Sequence, residues 1–368
     1  MKRLKVGLVG LGEVAQITHL PILENLADRY EIAALCDISP TLLQVLGEKY
    51  RVTNLYTDYK ALAAQEDLDA VFVLNSDEYH ADSAIHALKN HKHVLIEKPM
   101  TLNHADADAM IEARDEAGVQ VMVGYMRRFA PAFTEALEEI KTLGPIQYAK
   151  VRDIIGPNRK IIDQSSTVYR FTDIPKELME ERYTRRAAMI KEAIGEVPQD
   201  IYNAYGLLAG LNSHDLSAMR ELLGMPKRVV SAAQWNGGGY ITAILEFDGY
   251  YAVFETGVDE QCRFDASIEV MGKYKQLNVK YDTPYIRHLP TTLEVKETVG
   301  EQYNEYVKRP TLKDPYTVEL ETFYEVATQN KAPKTTIEDY KQDLELFKMI
   351  TDALLANEPK SSALELEV

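Results

Sequence analysis

Residues 10–15 have the spacing of a loop that holds the phosphates of a dinucleotide. They read G-x-G-x-x-A, directly after the apolar run Leu4–Val9 and before a helical pattern. Gly10 permits a tight turn, Gly12 lets the backbone approach a pyrophosphate, and the small Ala15 allows strand and helix to pack closely. The unpaired N–H groups of the helix N-terminus would bind the anion.

A carboxylate follows where the ribose of such a dinucleotide would lie, because the next apolar run, Glu31–Cys36, ends at Asp37. Taken alone, the glycine pattern indicates only a tight turn, and the flanking strand, helix and Asp37 together indicate a dinucleotide site. Asp37 favours NAD over NADP, since a carboxylate accepts hydrogen bonds from ribose hydroxyls and repels a 2′-phosphate. The cofactor-binding residues predicted here are Gly10, Gly12, Glu13, Val14, Ala15, Asp37 and Ile38.

The first 125 residues alternate between strand and helix patterns, which predicts a doubly wound parallel sheet with helices on both faces. Further strands are predicted at Ala70–Leu74, His93–Ile96 and Gln120–Gly124, with helices at Thr41–Tyr50, Tyr79–Asn90 and Asn103–Ala117. Ligands of such sheets bind beyond the carboxyl ends of the strands. Residues 75–80, 97–99 and 125–128 are therefore expected at the same edge as the glycine loop.

Length and composition exclude several classes of protein. The chain has 368 residues, more than one hydrophobic core usually organises, so two domains are expected. Its net charge of −16 disfavours binding to nucleic acid or anionic lipid, and no apolar run approaches the roughly 18 residues that span a membrane. Two cysteines, with no Cys/His cluster at metal-ligand spacing, predict a reduced cytoplasmic protein without a metal site.

The second half of the chain predicts another sheet. Strands are predicted at Arg228–Trp235, Tyr240–Phe247, Tyr250–Gly257, Phe264–Met271 and Tyr274–Val279, and helices at Pro315–Asn330 and Thr336–Asn357. Residues 158–205 carry an amphipathic helix pattern and are expected to form a lid or a subunit contact. Their arginines Arg182, Arg185 and Arg186 are interpreted as a solvated face.

Four segments resemble the Gfo/Idh/MocA family, which is named for glucose–fructose oxidoreductase, inositol dehydrogenase and a rhizopine-catabolism protein. They are residues 10–15, 86–100 with Glu97-Lys98-Pro99, 123–128 and 214–224, in matching order over nearly the whole chain. The resemblance implies a Rossmann domain, residues 1–125, and an α/β domain, residues 126–368, with a large, open, mostly antiparallel sheet and a helical insertion at 158–205. It also implies hydride transfer between a nicotinamide cofactor and a sugar or cyclitol carbon.

The resemblance places the chemistry on Lys98 and His214. Glu97 and Lys98 would lie beside the nicotinamide ribose and the reacting hydroxyl, and His214 would be the acid–base group. An imidazole suits this role because its ordinary pKa of about 6.5 lies near working pH, and an ammonium beside it stabilises an alkoxide. The alternatives are a surface lysine at a strand end and a histidine that faces solvent from the first turn of a helix.

The remaining predicted site residues come from the same resemblance. Residues 75–80 match the family's T-P-N-x-x-H imperfectly, and Asn75, Ser76 and His80 are expected at the nicotinamide half of the cleft. The predicted substrate-binding residues are Arg127, Asn158, Asn212 and His214. For Arg127, an ion pair at the domain boundary is an equal alternative. Many relatives carry an aspartate four residues before the histidine, where this chain has Gly210.

These features predict an NAD-dependent dehydrogenase or reductase that acts on the CH–OH group of a sugar, polyol or cyclitol such as inositol. The rival interpretation is a non-catalytic protein on the same scaffold that senses NAD or a sugar. Gly210 favours the rival, whereas retention of both Lys98 and His214 favours the enzyme. The outer face of the second sheet often serves oligomerisation in the family, so a homodimer or homotetramer is expected.

Overall fold

The structure, a computed structural model, describes residues 2–357 and contains two sheets. The first sheet has six parallel strands in the order β3-β2-β1-β4-β5-β6. Its strands are β1 (Leu4–Val9), β2 (Tyr30–Cys36), β3 (Leu55–Tyr56), β4 (Ala70–Val73), β5 (His93–Glu97) and β6 (Val121–Gly124). The reversal of strand order beside β1 puts a crevice at the carboxyl ends of β1 and β4, as the Rossmann prediction requires.

Helices cover both faces of this sheet, and local sequence explains where several of them begin and end. They are α1 (Leu20–Asn25), α2 (Pro40–Tyr50), α3 (Tyr59–Ala63), α4 (His80–Lys89) and α5 (His104–Ala117). The Ser39 side chain caps α2, whose first residue is a proline, and Asn103 caps α5, which ends at the left-handed Gly118. A π-helical turn, Ala15–His19, joins the glycine loop to α1.

The second sheet has eight strands in the order β14-β13-β12-β11-β7-β10-β9-β8, and only the β7–β10 pair is parallel. Its strands are β7 (Tyr148–Ile155), β8 (Arg228–Trp235), β9 (Tyr240–Glu246), β10 (Tyr251–Val258), β11 (Phe264–Met271), β12 (Lys275–Tyr281), β13 (Thr292–Val299) and β14 (Gln302–Lys308). The mostly antiparallel sheet predicted from the family resemblance is confirmed.

One face of the second sheet packs on helices, and burial alternates along its strands because successive side chains point to opposite faces. The helices of this half are α6 (Met126–Phe129), α7 (Pro131–Glu139), α8 (Asn158–Ser165), α9 (Lys176–Ile194), α10 (Gln199–Leu207), α11 (Ser213–Leu223), α12 (Pro315–Gln329) and α13 (Ile337–Asn357). Of these, α8, α9 and α10 form the inserted segment, and a π-helical turn, Leu208–Asn212, leads into α11.

The chain returns to the first sheet near its end. The Phe323 ring in α12 meets the Phe72 ring of β4 edge-on at 5.4 Å, and the Tyr30 hydroxyl donates a hydrogen bond to the Leu320 carbonyl. Helix α12 therefore lies in the core of the first sheet, so the predicted boundary at residue 125 does not separate the packing of the two halves.

Residues 2–357 contain no helix that is long and apolar enough to cross a membrane. Within the same residues, no group of three or more His, Cys, Asp or Glu side chains has the arrangement of a metal site.

Candidate active site

The glycine loop leaves β1 in a conformation that only glycine adopts easily. Gly10 has φ of +90°, and a Cβ built on it would lie 2.4 Å from the backbone of Asn75, at the carboxyl end of β4. Gly10 is thus required for the close approach of two strand ends. At Gly12, by contrast, a Cβ would meet nothing within 4 Å. The open side of Gly12 leaves room for a ligand group to approach the backbone.

Asp37 closes the other side of this loop. Its carboxylate accepts hydrogen bonds from the backbone N–H groups of Leu11 at 2.8 Å and Ser39 at 2.9 Å. Burial raises the pKa of Asp37, and these two N–H groups oppose that rise. A carboxylate has about four acceptor positions, so Asp37 can still accept from the hydroxyls of a ribose. Ile38, which is 46% exposed, lies on the rim.

Lys98 and His214 meet at the edge where β5 ends and α11 begins. The Lys98 ammonium donates to the carbonyl of Gly210 at 2.7 Å, in the π-helical turn before α11. His214 lies in the first turn of α11 and is only 7% exposed. Both residues line one cavity, so neither the solvent-facing histidine nor the free surface lysine describes this structure.

The two pKa shifts at this pair suit an acid–base centre. Burial, followed by the positive charges of Lys98 and Arg127, holds the pKa of His214 well below its ordinary value. Burial also lowers the pKa of Lys98, against the opposing effect of the Glu97 carboxylate. His214 is therefore neutral near pH 7 and able to accept a proton. Its buried Nδ1 has no hydrogen-bond partner among residues 2–357.

The cavity has a volume of about 180 Å³ and brings together most of the residues predicted for the nicotinamide and substrate ends. The predicted residues that line it are Val14, Asn75, His80, Glu97, Lys98, Arg127, Asn158 and His214. The predicted residues that lie outside its lining are Gly10, Gly12, Glu13, Ala15, Asp37, Ile38, Ser76 and Asn212. Apart from Ser76 and Asn212, the predicted residues outside the lining belong to the glycine loop and to the end of β2, next to the cavity.

Two predicted residues hold the cavity wall by contacts within the protein. The His80 Nδ1 and Nε2 atoms lie 2.8 Å and 2.9 Å from the carbonyl oxygens of Pro99 and Asn75. Burial lowers the pKa of His80. Glu97 pairs with the buried His19, with 2.8 Å between Oε1 and Nε2. These contacts fix the ends of β4 and β5 relative to the π-helical turn after the glycine loop.

Arg127 has the ion-pair role that the sequence offered as its alternative. Its guanidinium is 2% exposed, forms a salt bridge with Asp153 at 3.1 Å and another with Asp215, and lies against the Phe264 and Tyr281 rings. These ion pairs hold the wall of the cavity together. Removing one partner would leave an unpaired buried charge, which strongly destabilises the folded protein. Substrate contact by Arg127 stays a prediction.

Asn212 lies behind the lining of the cavity. This residue is fully buried, donates to the Thr256 hydroxyl at 2.8 Å and does not line the cavity. The reason is the π-helical turn: Leu211 and His214 face the cavity, whereas Asn212 faces the second sheet. Asn212 therefore connects the turn before α11 to β10, and substrate binding by Asn212 stays a prediction.

The interpretation of the insertion arginines as a solvated face is wrong. Arg182 lies 2.8 Å from the Glu78 carboxylate, Arg185 donates to Asp82 at 2.7 Å, and Arg186 pairs with Asp77. Burial would raise the pKa of Asp77, but a hydrogen bond from Glu78 and the charge of Arg186 outweigh it, and the pKa is lowered. Helix α9 is therefore held by ion pairs to the first turn of α4 and to the segment before it.

Three aromatic side chains of the cavity were missed from the sequence: Phe264, Tyr285 and Tyr316. Phe264 begins β11, Tyr285 lies in the loop after β12, and Tyr316 is in the first turn of α12. No short motif marks them, because three distant segments bring them together. Burial raises the pKa of Tyr285 to about 12, so its hydroxyl keeps its proton near neutral pH.

The residues present fit a nicotinamide dinucleotide. The open backbone at Gly12, the carboxylate of Asp37 and the cavity at Lys98 follow one another along the carboxyl edge of the first sheet. The buried Asn75 Oδ1 and Asn158 Oδ1 atoms have no protein partner among the described residues, and both side chains line the cavity. Unpaired buried polar atoms at a cavity are what a bound ligand would satisfy.

The sequence profile of an oxidoreductase family with an NAD-binding Rossmann fold, GFO_IDH_MocA, matches residues 4–125. An inositol 2-dehydrogenase from Salmonella typhimurium is 36% identical over 134 residues, which are 36% of this chain and 40% of that protein. A myo-inositol 2-dehydrogenase from Thermotoga maritima is 30% identical over 210 residues, covering 52% of this chain and 61% of the relative.

Likeness in fold extends further along the chain than these sequence matches. The crystal structure of myo-inositol 2-dehydrogenase from Lactobacillus plantarum superimposes with a TM-score of 0.70. The superposition covers 96% of this chain and 98% of that one, at 20% sequence identity. At this identity the likeness shows a shared fold across both sheets.

Proposed function

Because this chain belongs to the Gfo/Idh/MocA family of oxidoreductases, we propose that it is an NAD-dependent dehydrogenase or reductase. Its substrate is a CH–OH or C=O carbon of a sugar, polyol or cyclitol. The observation that carries this proposal is the meeting of Lys98 and a neutral His214 in one cavity, beside the glycine loop.

A bound nicotinamide would supply the hydride acceptor or donor. The loop from Gly10 to Ala15 and the carboxylate of Asp37 would hold the adenosine and phosphate half. Val14, Asn75 and Glu97, which line the cavity, would lie at the nicotinamide half. The cofactor residues predicted from sequence thus occupy one continuous edge of the first sheet.

The chain's own residues would manage the proton. His214 takes the proton of the substrate hydroxyl during oxidation, since its low pKa keeps the imidazole neutral and able to accept it. In the reverse direction the protonated imidazole is the donor, and it returns that proton to the substrate oxygen. The Lys98 ammonium points at the same cavity and stabilises negative charge on the substrate oxygen. Its hydrogen bond to the Gly210 carbonyl holds the ammonium in place without neutralising it.

The lining of the cavity suits a polyhydroxylated ring. Asn75, Asn158 and the Tyr285 hydroxyl offer polar groups, whereas Phe264 offers an apolar surface. Sugars and cyclitols present both hydroxyls and C–H faces. The relatives named as inositol dehydrogenases support a cyclitol within this class.

A second candidate, a non-catalytic sensor of NAD or sugar, is favoured by Gly210. Without an aspartate there, His214 lacks a carboxylate that could hold its tautomer, and its Nδ1 is unpaired among residues 2–357. A sensor would bind cofactor and sugar without turnover. An enzyme would require both Lys98 and His214.

We also propose a cytoplasmic homodimer or homotetramer that assembles through the open face of the second sheet. Support comes from exposed aromatic side chains on that sheet, such as Trp235 and Tyr251, each 50% exposed. Sedimentation velocity of the purified protein would test this assembly, and a single monomeric species at micromolar concentration would contradict it.

The experiment for the main proposal is a panel of inositols, hexoses and sugar alcohols, assayed with NAD and with NADP at the absorbance band of the reduced nicotinamide. We expect turnover with NAD on at least one polyhydroxylated ring. Binding of NADH and sugars without turnover on the whole panel, in both reaction directions, would favour the sensor.

A further inference from the structure

A short piece of the insertion crosses the adenosine end of the dinucleotide site. We call residues 169–173 the adenosine strap. The Tyr169 backbone exchanges two hydrogen bonds with the Gln16 side chain, one to N–H and one to C=O, at 2.9 Å and 3.0 Å. Arg170 forms a salt bridge of 2.6 Å with Glu13, a residue of the glycine loop. The strap is thus attached to the first turn after Gly12.

The far end of the strap reaches the N-terminus of α2. The Ser39 hydroxyl donates to one oxygen of Asp173 at 2.6 Å, and the Thr41 backbone N–H donates to the other at 3.0 Å. Ser39 also donates its backbone N–H to Asp37 at 2.9 Å. Asp37 and Asp173 therefore both accept hydrogen bonds from Ser39, Asp37 from its backbone N–H and Asp173 from its hydroxyl.

We propose that Asp173 is a second determinant of cofactor specificity, beside Asp37. Its role is to exclude the 2′-phosphate of NADP from the adenosine ribose end of the site. This inference rests on the proposed function, because it concerns the adenosine ribose of the same dinucleotide. It adds a residue from outside residues 1–125 to a choice usually made within the Rossmann fold.

Asp173 would exclude a 2′-phosphate in two ways: it occupies the hydrogen-bond donors that the phosphate would need, and its negative charge repels the phosphate. A 2′-phosphate on the ribose would lie beyond Asp37, where the Ser39 hydroxyl and the N–H groups that begin α2 are the donors at hand. Asp173 already occupies the Ser39 hydroxyl and the Thr41 N–H. Those hydrogen bonds lower the pKa of Asp173 to about 2, so it is negative at any working pH and repels a phosphate.

The test is equilibrium binding of NADH and NADPH to the full chain, followed by nicotinamide fluorescence without substrate. Asp173→Asn keeps an oxygen that can accept from Thr41 while removing the charge. Because Asp173 is exposed and its charge is screened by solvent, we expect the variant to tighten NADPH binding by roughly threefold to tenfold, and to change NADH binding by less than about twofold. Glu177→Gln, an exposed carboxylate on the same insertion, is the matched control and should change neither affinity.

Asp173→Ser and the double variant Asp37→Ser/Asp173→Asn extend the test, with thermal melting to verify that each variant folds. The double variant should bind NADPH more tightly than either single one. Unchanged NADPH affinity in both folded Asp173 variants, with NADH still bound, would overturn the role of Asp173 alone. Wild-type protein that binds NADPH as tightly as NADH would do the same. Failure of wild type to bind either cofactor would instead overturn the proposed function, and this inference with it.

Discussion

Replacing Lys98 by methionine removes one charge from the proposed acid–base centre while keeping the length and apolar stem of the side chain. In the structure the Lys98 ammonium donates a hydrogen bond to the Gly210 carbonyl at 2.7 Å, and its positive charge lowers the pKa of His214. The glycine loop and Asp37 do not contact the Lys98 side chain in the described hydrogen bonds, so the variant should still bind NADH, and any loss of affinity should come from the nicotinamide end alone.

The expected loss of turnover in Lys98→Met is about 10²–10⁴-fold, the range typical of acid–base and electrostatic assistance. This corresponds to about 2.7–5.5 kcal/mol of transition-state stabilisation. The fold should be retained, because Lys98 lies at the cavity and water can replace the ammonium at the Gly210 carbonyl. Lys89→Met, an exposed lysine at the end of α4, is the control and should have wild-type kinetics.

The pH profile of kcat/KM separates this role from a merely structural one. Its acid limb reports protonation of His214 in the free enzyme. Since the Lys98 charge lowers the pKa of His214, its removal raises that pKa, and the acid limb should move to higher pH in Lys98→Met. Lys98→Arg should leave the limb near its wild-type position. Unchanged turnover, or an acid limb that stays in place or moves to lower pH, would refute the reasoning.

Three further predictions concern stability. Burial raises the pKa of Glu319 well above its ordinary value. The folded state therefore keeps a proton that the unfolded state loses above about pH 4.3. Because of this difference, the free energy of unfolding falls as the pH rises beyond that value. Urea unfolding at several pH values should show that Glu319→Gln lacks this fall, up to about 1.4 kcal/mol per pH unit, and an unchanged slope would contradict it. Gly210→Asp should fold with an unchanged or higher Tm, because Gly210 has no positive φ and a Cβ there meets nothing within 4 Å; a large drop in Tm would contradict this. Limited proteolysis should cut the insertion of Arg186→Gln faster than that of wild type, since the pair with Asp77 is lost, and equal rates would show that this pair does not hold α9.

Most strands with an apolar buried face were predicted closely from the sequence, whereas β3, β7, β13 and β14 were missed. Phe264–Met271 was predicted with its observed bounds. Strand β7, by contrast, was missed because the buried Asp153 interrupts its apolar alternation. Strand β14 was missed because polar residues occupy most of its positions and little of it is buried. Periodicity reports burial, so a strand without an apolar face gives no signal.

The site shows the same division between local and distant information. The glycine loop, Asp37, Lys98 and His214 could be proposed as site residues because each lies in a short motif or at a strand end. The partners of Arg127 lie 26 and 88 residues away in sequence, so its ion pairs could not be read from its neighbours. The charges of α9 were misinterpreted for the same reason: each arginine looks solvated until the opposing carboxylates are in place.

The central claim is that this chain transfers hydride between an alcohol carbon and a nicotinamide, with Lys98 and His214 managing the proton. The most direct measurement uses the best substrate of the panel, deuterated at the reacting carbon, with mass spectrometry of the cofactor after a single turnover. We predict that wild type moves the deuterium to NAD, and that Lys98→Met and His214→Ala bind NAD but move it at least about 100-fold more slowly. Cofactor that is bound but carries no deuterium with wild type, or transfer at the wild-type rate in both variants, would contradict the claim.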